Sequence, residues 1–213
     1  MRTFSKREVR EFYRRLAAAR PIPQTELEFI NPFTLLVAVV LSAQATDTGV
    51  NKATPALFAL ADTPGKMLAL GEERLVELIR TIGLFRTKAK NLTALSRILV
   101  EQYGGKVPRD RTALEALPGV GRKTANVVLG NAFGINVGVV VDTHVARLSQ
   151  RLGLTRENTP EKIEADLMDL VSREDWALLS HLLIWHGRRR CSARKPDCAG
   201  CEIAKLCPSA GKC

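Results

Sequence analysis

Apolar residues along this chain return at spacings of three and four, and nowhere alternate with period two over a useful length, so the pattern predicts helices. Ser5 to Arg20 reads as a basic amphipathic helix with Val9, Phe12, Tyr13 and Leu16 on its inner face, ended by Pro21 and Pro23. Asn31-Pro32 is a helix start, with Asn as cap and Pro at the first position. Phe33 to Ala43 is apolar nearly all round, which predicts a central buried helix. Thr46 or Asp47 caps the next helix, to about Leu60, and Thr63-Pro64 opens a short one. Glu72 to Ile82 forms another, stopped by Gly83, and Thr87 to Tyr103 a longer one closed by Gly104-Gly105. Thr159-Pro160 starts one more, and Ser172-Arg173-Glu174-Asp175 resembles a capping box for the last, which runs to about Gly187. Val137 to Val141 is the one strand-like run, and reads as a buried connection or a helix start rather than part of a sheet. The fold class predicted is all-α.

Chemistry enters at Leu117-Pro118-Gly119-Val120-Gly121-Arg122-Lys123-Thr124-Ala125. Thr112 to Leu117 reads as a short helix, stopped by Pro118 and Gly119, and Gly121 allows positive φ or a close backbone approach. Ala125, Val128 and Leu129 then resume helical spacing. The result is a helix, a Gly-x-Gly hairpin and a second helix whose first N–H groups lack helical partners and favour an anion, with phosphate the obvious candidate. A plain αα-corner would need the glycines only for the turn. Arg122 and Lys123 change that picture, because the first turn of a helix favours acids and here carries two cations. The dipole and Arg122 both disfavour the ammonium form of Lys123 and make its amine a better nucleophile. A weaker echo, Ile82-Gly83-Leu84-Phe85-Arg86-Thr87-Lys88-Ala89, lacks the second glycine and reads as packing geometry, with its loop available for another task.

Asp142 follows Val139-Val140-Val141 and precedes Thr143-His144-Val145, well placed as a helix N-cap. Capping bonds from backbone N–H groups keep a carboxylate charged, and a fixed anion can stabilise positive charge developing on a sugar ring. His144 reads as a pocket residue, and His181 and His186 as packing residues.

The formal charge of +10 lies at the two ends: residues 1–20 hold seven Lys/Arg and two Glu, and residues 185–213 seven Lys/Arg against Asp197 and Glu202, so each end carries +5 and the remainder is neutral. Such clustering suggests a nucleic-acid footprint. Only 5% of residues are aromatic, which argues against a single-strand binder built on stacking platforms. No secretory signal or spanning segment is recognisable, so a cytoplasmic or nucleoid-associated protein with no membrane partner is expected. Cys191, Cys198, Cys201 and Cys207 are spaced C-x6-C-x2-C-x5-C, and four thiols within 17 residues point to a metal site rather than disulfides. Spacing alone does not separate zinc from iron–sulfur. Cys213 is left over.

The hairpin motif, Val141-Asp142-Thr143-His144 and the four cysteines, in that order, resemble the endonuclease III family, DNA glycosylases of the helix-hairpin-helix superfamily that act on oxidised pyrimidines. The resemblance runs from about Thr25 to Cys207. It implies two helical lobes with a DNA-binding cleft between them: a helical barrel over residues 25–135 and an iron–sulfur domain joining 1–24 to 136–213. It implies Lys123 and Asp142 as catalytic residues, and a [4Fe–4S] cluster on Cys191, Cys198, Cys201 and Cys207. DNA contacts fall to Gly119, Val120, Gly121 and Arg122 of the hairpin. Gln44 would fill the gap left by an extruded base, Leu84 would act as an apolar wedge, and Arg194 and Lys195 would bind phosphate from the first cluster loop, just after Arg188 to Arg190. The implied activity is base removal with abasic-site lyase action by Schiff-base chemistry, on duplex DNA carrying damaged pyrimidines or abasic sites, by a monomer. Ile135 to Gly138 departs from the proline-containing form expected of the family.

A non-catalytic DNA-binding module with a zinc or iron–sulfur knot would need the hairpin and the basic ends, but neither Lys123 nor Asp142. The adenine-mismatch glycosylases, which share the cluster and the aspartate, normally lack lysine at the position of Lys123.

Overall fold

The computed structural model describes residues 6–20 and 25–212; Ser5, Pro21, Pro23 and Cys213 lie outside them. The chain divides into two compact units, Thr25–Ile135 and Met1–Gln24 with Asn136–Cys213. Every regular element among the described residues is helical, and the fold is all-α.

The first unit is built around α2 (Pro32–Ser42), in which Phe33 through Leu41 are all buried. Its start is strongly specified. The Asn31 side chain accepts from the Thr34 N–H at 2.9 Å, the Thr34 hydroxyl accepts from the Asn31 N–H at 2.9 Å, and Pro32 supplies a residue that needs no acceptor. Around α2 pack α3 (Asp47–Leu60), α6 (Phe85–Tyr103) and α8 (Arg122–Phe133), with α4 (Pro64–Leu70) and α5 (Glu72–Ile79) against α6 and α7 (Arg111–Glu115) against α8. Leu35, Leu36, Val37, Ala38 and Leu41 are fully buried, and truncating one such leucine to alanine costs about 2–5 kcal/mol. Helix α5 stops three residues before the expected Ile82, and α6 begins at Phe85, two residues earlier than expected. Both shifts place the Gly83-Leu84 turn squarely between the two helices.

The second unit packs α1 (Lys6–Ala19), α9 (Thr143–Arg151), α10 (Pro160–Leu170) and α11 (Trp176–Arg189) around one apolar core. Val9, Phe12 and Leu16 of α1 join it, as do Val145 and Leu148 of α9 and Leu179, Leu182 and Leu183 of α11. Val139 and Val141 are buried in the same core in an unpaired extended connection, whose Val140 N–H donates to the Ser180 hydroxyl at 2.8 Å. Where the sequence departs from a proline-containing form, Asn136 is tied both ways: its side chain donates to the Glu174 carbonyl at 3.0 Å, and its carbonyl accepts from Arg173 Nε at 3.0 Å.

The Ser172–Asp175 box forms differently from expectation. Arg173–Asp175 is a 3-10 turn, and the Ser172 hydroxyl donates to Asp175 Oδ2 at 2.8 Å instead of capping backbone. The second Asp175 oxygen takes the Tyr13 hydroxyl at 2.7 Å, so the acid joins α1 to the start of α11. Burial and this carboxylate push the Tyr13 hydroxyl well above its ordinary pKa.

Candidate functional site

The hairpin between α7 and α8 closes through backbone bonds from Leu117 to Leu114 O at 3.0 Å and from Val120 to Leu117 O at 3.1 Å. The positive φ falls on Gly119 at 79°, whereas Gly121 is extended at −100°. A Cβ on Gly119 would stand 2.9 Å from Asn91 Nδ2 of α6, while one on Gly121 would meet nothing within 4 Å. The first glycine is therefore required by the turn, and the second leaves open space in front of α8. No side chain caps α8, and its first turn holds no acid. Arg122 and Lys123 stand exposed there, beside N–H groups that suit an anion. Val120 is turned inward at 6% exposure, so its side chain anchors the hairpin and can serve a ligand only indirectly.

Gln44 and Leu84 are both exposed, and among the described residues they are the two non-glycines with positive φ, at 55° and 58°. Gln44 does not cap α2, since Ala43 occupies that position. The carbonyl of Gln44 lies 3.8 Å from where a Cβ would stand on Gly83, so the two turns are neighbours.

Asp142 caps α9. One of its oxygens accepts from the His144 and Val145 N–H groups at 2.8 and 2.9 Å. The helix it caps runs on to the cysteine loop. Arg147 donates to the Gly187 and Cys191 carbonyls at 2.8 and 2.9 Å. Arg151 donates to the Ser192 and Ala193 carbonyls at 2.8 Å each, and approaches Cys191 Sγ at 3.2 Å. Helix α9 can come this close to α11 because residue 187 is glycine; a Cβ there would stand 2.9 Å from His144 Cβ. Sequence reading missed both arginines: their spacing of four puts them on one helical face, but the loop that face meets lies about 40 residues on and is set by tertiary packing.

Cys191, Cys198, Cys201 and Cys207 form no disulfide and line a single pocket, with Leu148, Leu152 and Ile203 among its apolar walls. His186 lines it too, within 3.6 Å of Cys201 Sγ and 3.3 Å of Glu202 Oε1, so it belongs to the pocket and is more than packing. Burial pushes the Cys201 thiol up to about 11, so holding a thiolate there calls for positive charge close by. Among the described residues no three His, Cys, Asp or Glu side chains gather about one point as a single ion requires. A zinc ion would draw its thiolates to about 2.3 Å from one centre, whereas a cluster takes its thiolates on separate irons. Four cysteines about one pocket fit a metal group bound through thiolates.

The loop carrying Arg194 and Lys195 is held by Arg151 and by Ser192, whose hydroxyl donates to the Lys195 carbonyl at 2.6 Å, and both cations point to solvent. Arg190 differs from the expected phosphate binder, because it is drawn to Asp197 at 2.7 Å and lies 3.7 Å from Glu202. Lys123 and Asp142 belong to different units.

Residues 37–173 match the HhH-GPD superfamily of base excision DNA repair proteins. The chain is 52% identical to endonuclease III of Treponema pallidum over 97% of its own length and 98% of the relative's, and 51% identical to that of Escherichia coli K12 over 92% and 93%. This chain belongs to the endonuclease III family. A solved endonuclease III, trapped as a covalent intermediate with DNA in an estranged-adenine complex, superposes with a TM-score of 0.92 at 44% identity over 98% of both chains. Endonuclease III membership accounts for an all-α chain, and no helix among the described residues is long and apolar enough to cross a membrane.

Proposed function

We propose that this chain is a base-excision-repair DNA glycosylase and abasic-site lyase that removes oxidised pyrimidines from duplex DNA, with Lys123 as nucleophile and Asp142 as its electrostatic partner. The observation that carries the reading is an exposed lysine in the uncapped first turn of α8, in a chain of a family with a member trapped covalently on DNA.

The neutral Lys123 amine attacks C1′ of the extruded nucleotide. The bond from C1′ to the base breaks, and the base leaves with the electron pair and takes up a proton. Asp142, its carboxylate oriented by two backbone N–H groups, stabilises the positive charge that builds on the sugar as that bond lengthens. Loss of the amine proton and opening of the bond between C1′ and O4′ give the Schiff base. Removal of a C2′ proton then expels the 3′ phosphate by β-elimination, and water releases the lysine. The Gly119–Gly121 hairpin, with Arg122, holds backbone phosphate against the N–H groups of α8, Val120 bracing it from beneath. Gln44 occupies the gap opposite the orphaned base and Leu84 wedges the stack, which offsets the unstacking cost of a few kcal/mol.

Cys191, Cys198, Cys201 and Cys207 would hold a [4Fe–4S] cluster, supplying the positive charge that stabilises four clustered thiolates and fixing the loop that presents Arg194 and Lys195 to phosphate. Purified protein is expected to be brown, with about four irons per chain; a colourless, fully active preparation holding one zinc overturns this assignment. Such a protein would work on the nucleoid as a monomer.

The test of the mechanism is borohydride trapping. Wild type should give a covalent protein–DNA adduct, and Lys123→Gln none, while still binding DNA through the untouched hairpin. Full adduct yield from the variant means that another amine is the nucleophile.

A further inference from the structure

The two exposed turns at Gln44 and Leu84 share an unusual backbone state, and one buried side chain joins the helices that carry them. Lys88 stands in the first turn of α6, and its N–H bonds the Leu84 carbonyl at 3.0 Å. Its ammonium crosses to α2 and donates to the Leu41 carbonyl at 2.8 Å, in the last turn before Gln44. A cation is favoured at that end of a helix, and Leu41 offers one of the carbonyls that a terminating helix leaves without a helical partner. Lys88 is only 5% exposed. Lysines are almost never so buried without a partner, and burial holds this ammonium below the usual lysine range. A methionine would fill the same space with no charge to desolvate, so the ammonium is best understood by what it grips.

We infer that Lys88 is a positioning residue that clamps the Gln44 turn to the Leu84 turn, so that plug and wedge enter the duplex as one rigid body. The inference rests on the reading that Gln44 and Leu84 do enter the duplex. A rigid pair explains why both non-glycine residues are held at positive φ: the backbone around each is fixed by the other side of the clamp. Loss of the clamp would let the two turns sample separate orientations, and the duplex would be opened by two uncoordinated contacts.

The experiment uses the full-length protein and a duplex with one oxidised pyrimidine opposite 2-aminopurine, whose fluorescence rises when the orphaned base unstacks. Lys88→Met should slow both the fluorescence rise and single-turnover base removal by on the order of tenfold or more, the scale of a misplaced positioning group. Gln44→Ala and Leu84→Ala should slow them comparably. Lys88→Met combined with Gln44→Ala should be no slower than the slower single variant. Cutting of an abasic site in single-stranded DNA, which needs no wedge, should match wild type, and Lys88→Gln, which keeps a donor for Leu41, should recover part of the rate. The inference is overturned if Lys88→Met opens the duplex as fast as wild type while Gln44→Ala does not. Multiplying defects in the double variant overturn it too, as does equal loss on single-stranded and duplex substrates. If neither Lys88 variant folds, Lys88 is a structural residue and the clamp is rejected. If Gln44→Ala and Leu84→Ala both open the duplex at wild-type rate, the underlying reading fails and the clamp falls with it.

Discussion

Asp142 is asked to do two things with one carboxylate, and they can be separated by a single atom. Asparagine caps a helix about as well as aspartate, so Asp142→Asn should keep the bonds to the His144 and Val145 N–H groups and melt within about 0.5 kcal/mol of wild type. It lacks the charge, so single-turnover base removal should fall by about 100-fold or more. Cutting of a preformed abasic site should survive in part, because no base need leave. Asp142→Ala loses the cap as well, at about 1 kcal/mol. Unimpaired base removal in the asparagine variant would reduce Asp142 to a cap. The residue's position was legible from the run of valines before it, since a buried extended segment ending in Asp before a helical pattern is a cap by chemistry alone. The left-handed backbone of Gln44 and Leu84 was not legible. Nothing in a glutamine or a leucine signals positive φ, which costs such residues about 1–2 kcal/mol.

At the scale of elements, periodicity and caps gave the helices and most of their ends, while tertiary partners decided the exceptions. Asp175 left its expected cap for Ser172 and Tyr13 because a hydroxyl from α1, far off in sequence, was within reach. The hairpin was legible as a Gly-x-Gly corner, yet spacing could not say which glycine carries the positive φ. That division has a measurable consequence. Gly119→Ala must adopt φ near 79° and press its Cβ on Asn91, so it should destabilise the chain by about 1–3 kcal/mol and loosen the hairpin. Gly121→Ala meets no protein atom, so its melting temperature should stay near wild type while affinity for intact duplex drops, the new methyl standing where phosphate approaches. Unaltered affinity in the Gly121 variant would show that phosphate sits elsewhere. Helix α9 is the element whose reach the sequence hid: Asp142 begins it and Arg151 near its end grips the cysteine loop, so one rigid helix links a proposed catalytic group to the pocket.

Over the whole molecule, the sequence located the excess charge at both ends of the chain but not the state of each cation. Both ends belong to one compact unit. Arg14 and Arg15 share Glu11, and Arg190 is drawn to Asp197, so these cations are partly neutralised within the protein. Arg194 and Lys195 are different: exposed, and carried on a loop whose backbone is held by Arg151 and Ser192. A tethered loop loses little entropy on meeting a phosphate, whereas a free basic tail loses more. Arg194→Ala with Lys195→Ala should therefore weaken binding to damaged and intact duplex alike, because phosphate contacts position a protein without reading the base. Each lost contact should flatten the plot of log affinity against log salt by about 0.9, so the double variant should lose about 1.8 from the slope if both cations reach phosphate. Iron content should be unaffected, since the bonds that shape the loop come from Arg151 and from the Ser192 hydroxyl to the Lys195 backbone, none of which the substitutions remove. A weakened affinity with an unchanged slope would mean that the substitutions disturbed the loop without removing a phosphate contact, and an unchanged affinity would mean that both side chains remain in solvent when DNA is bound.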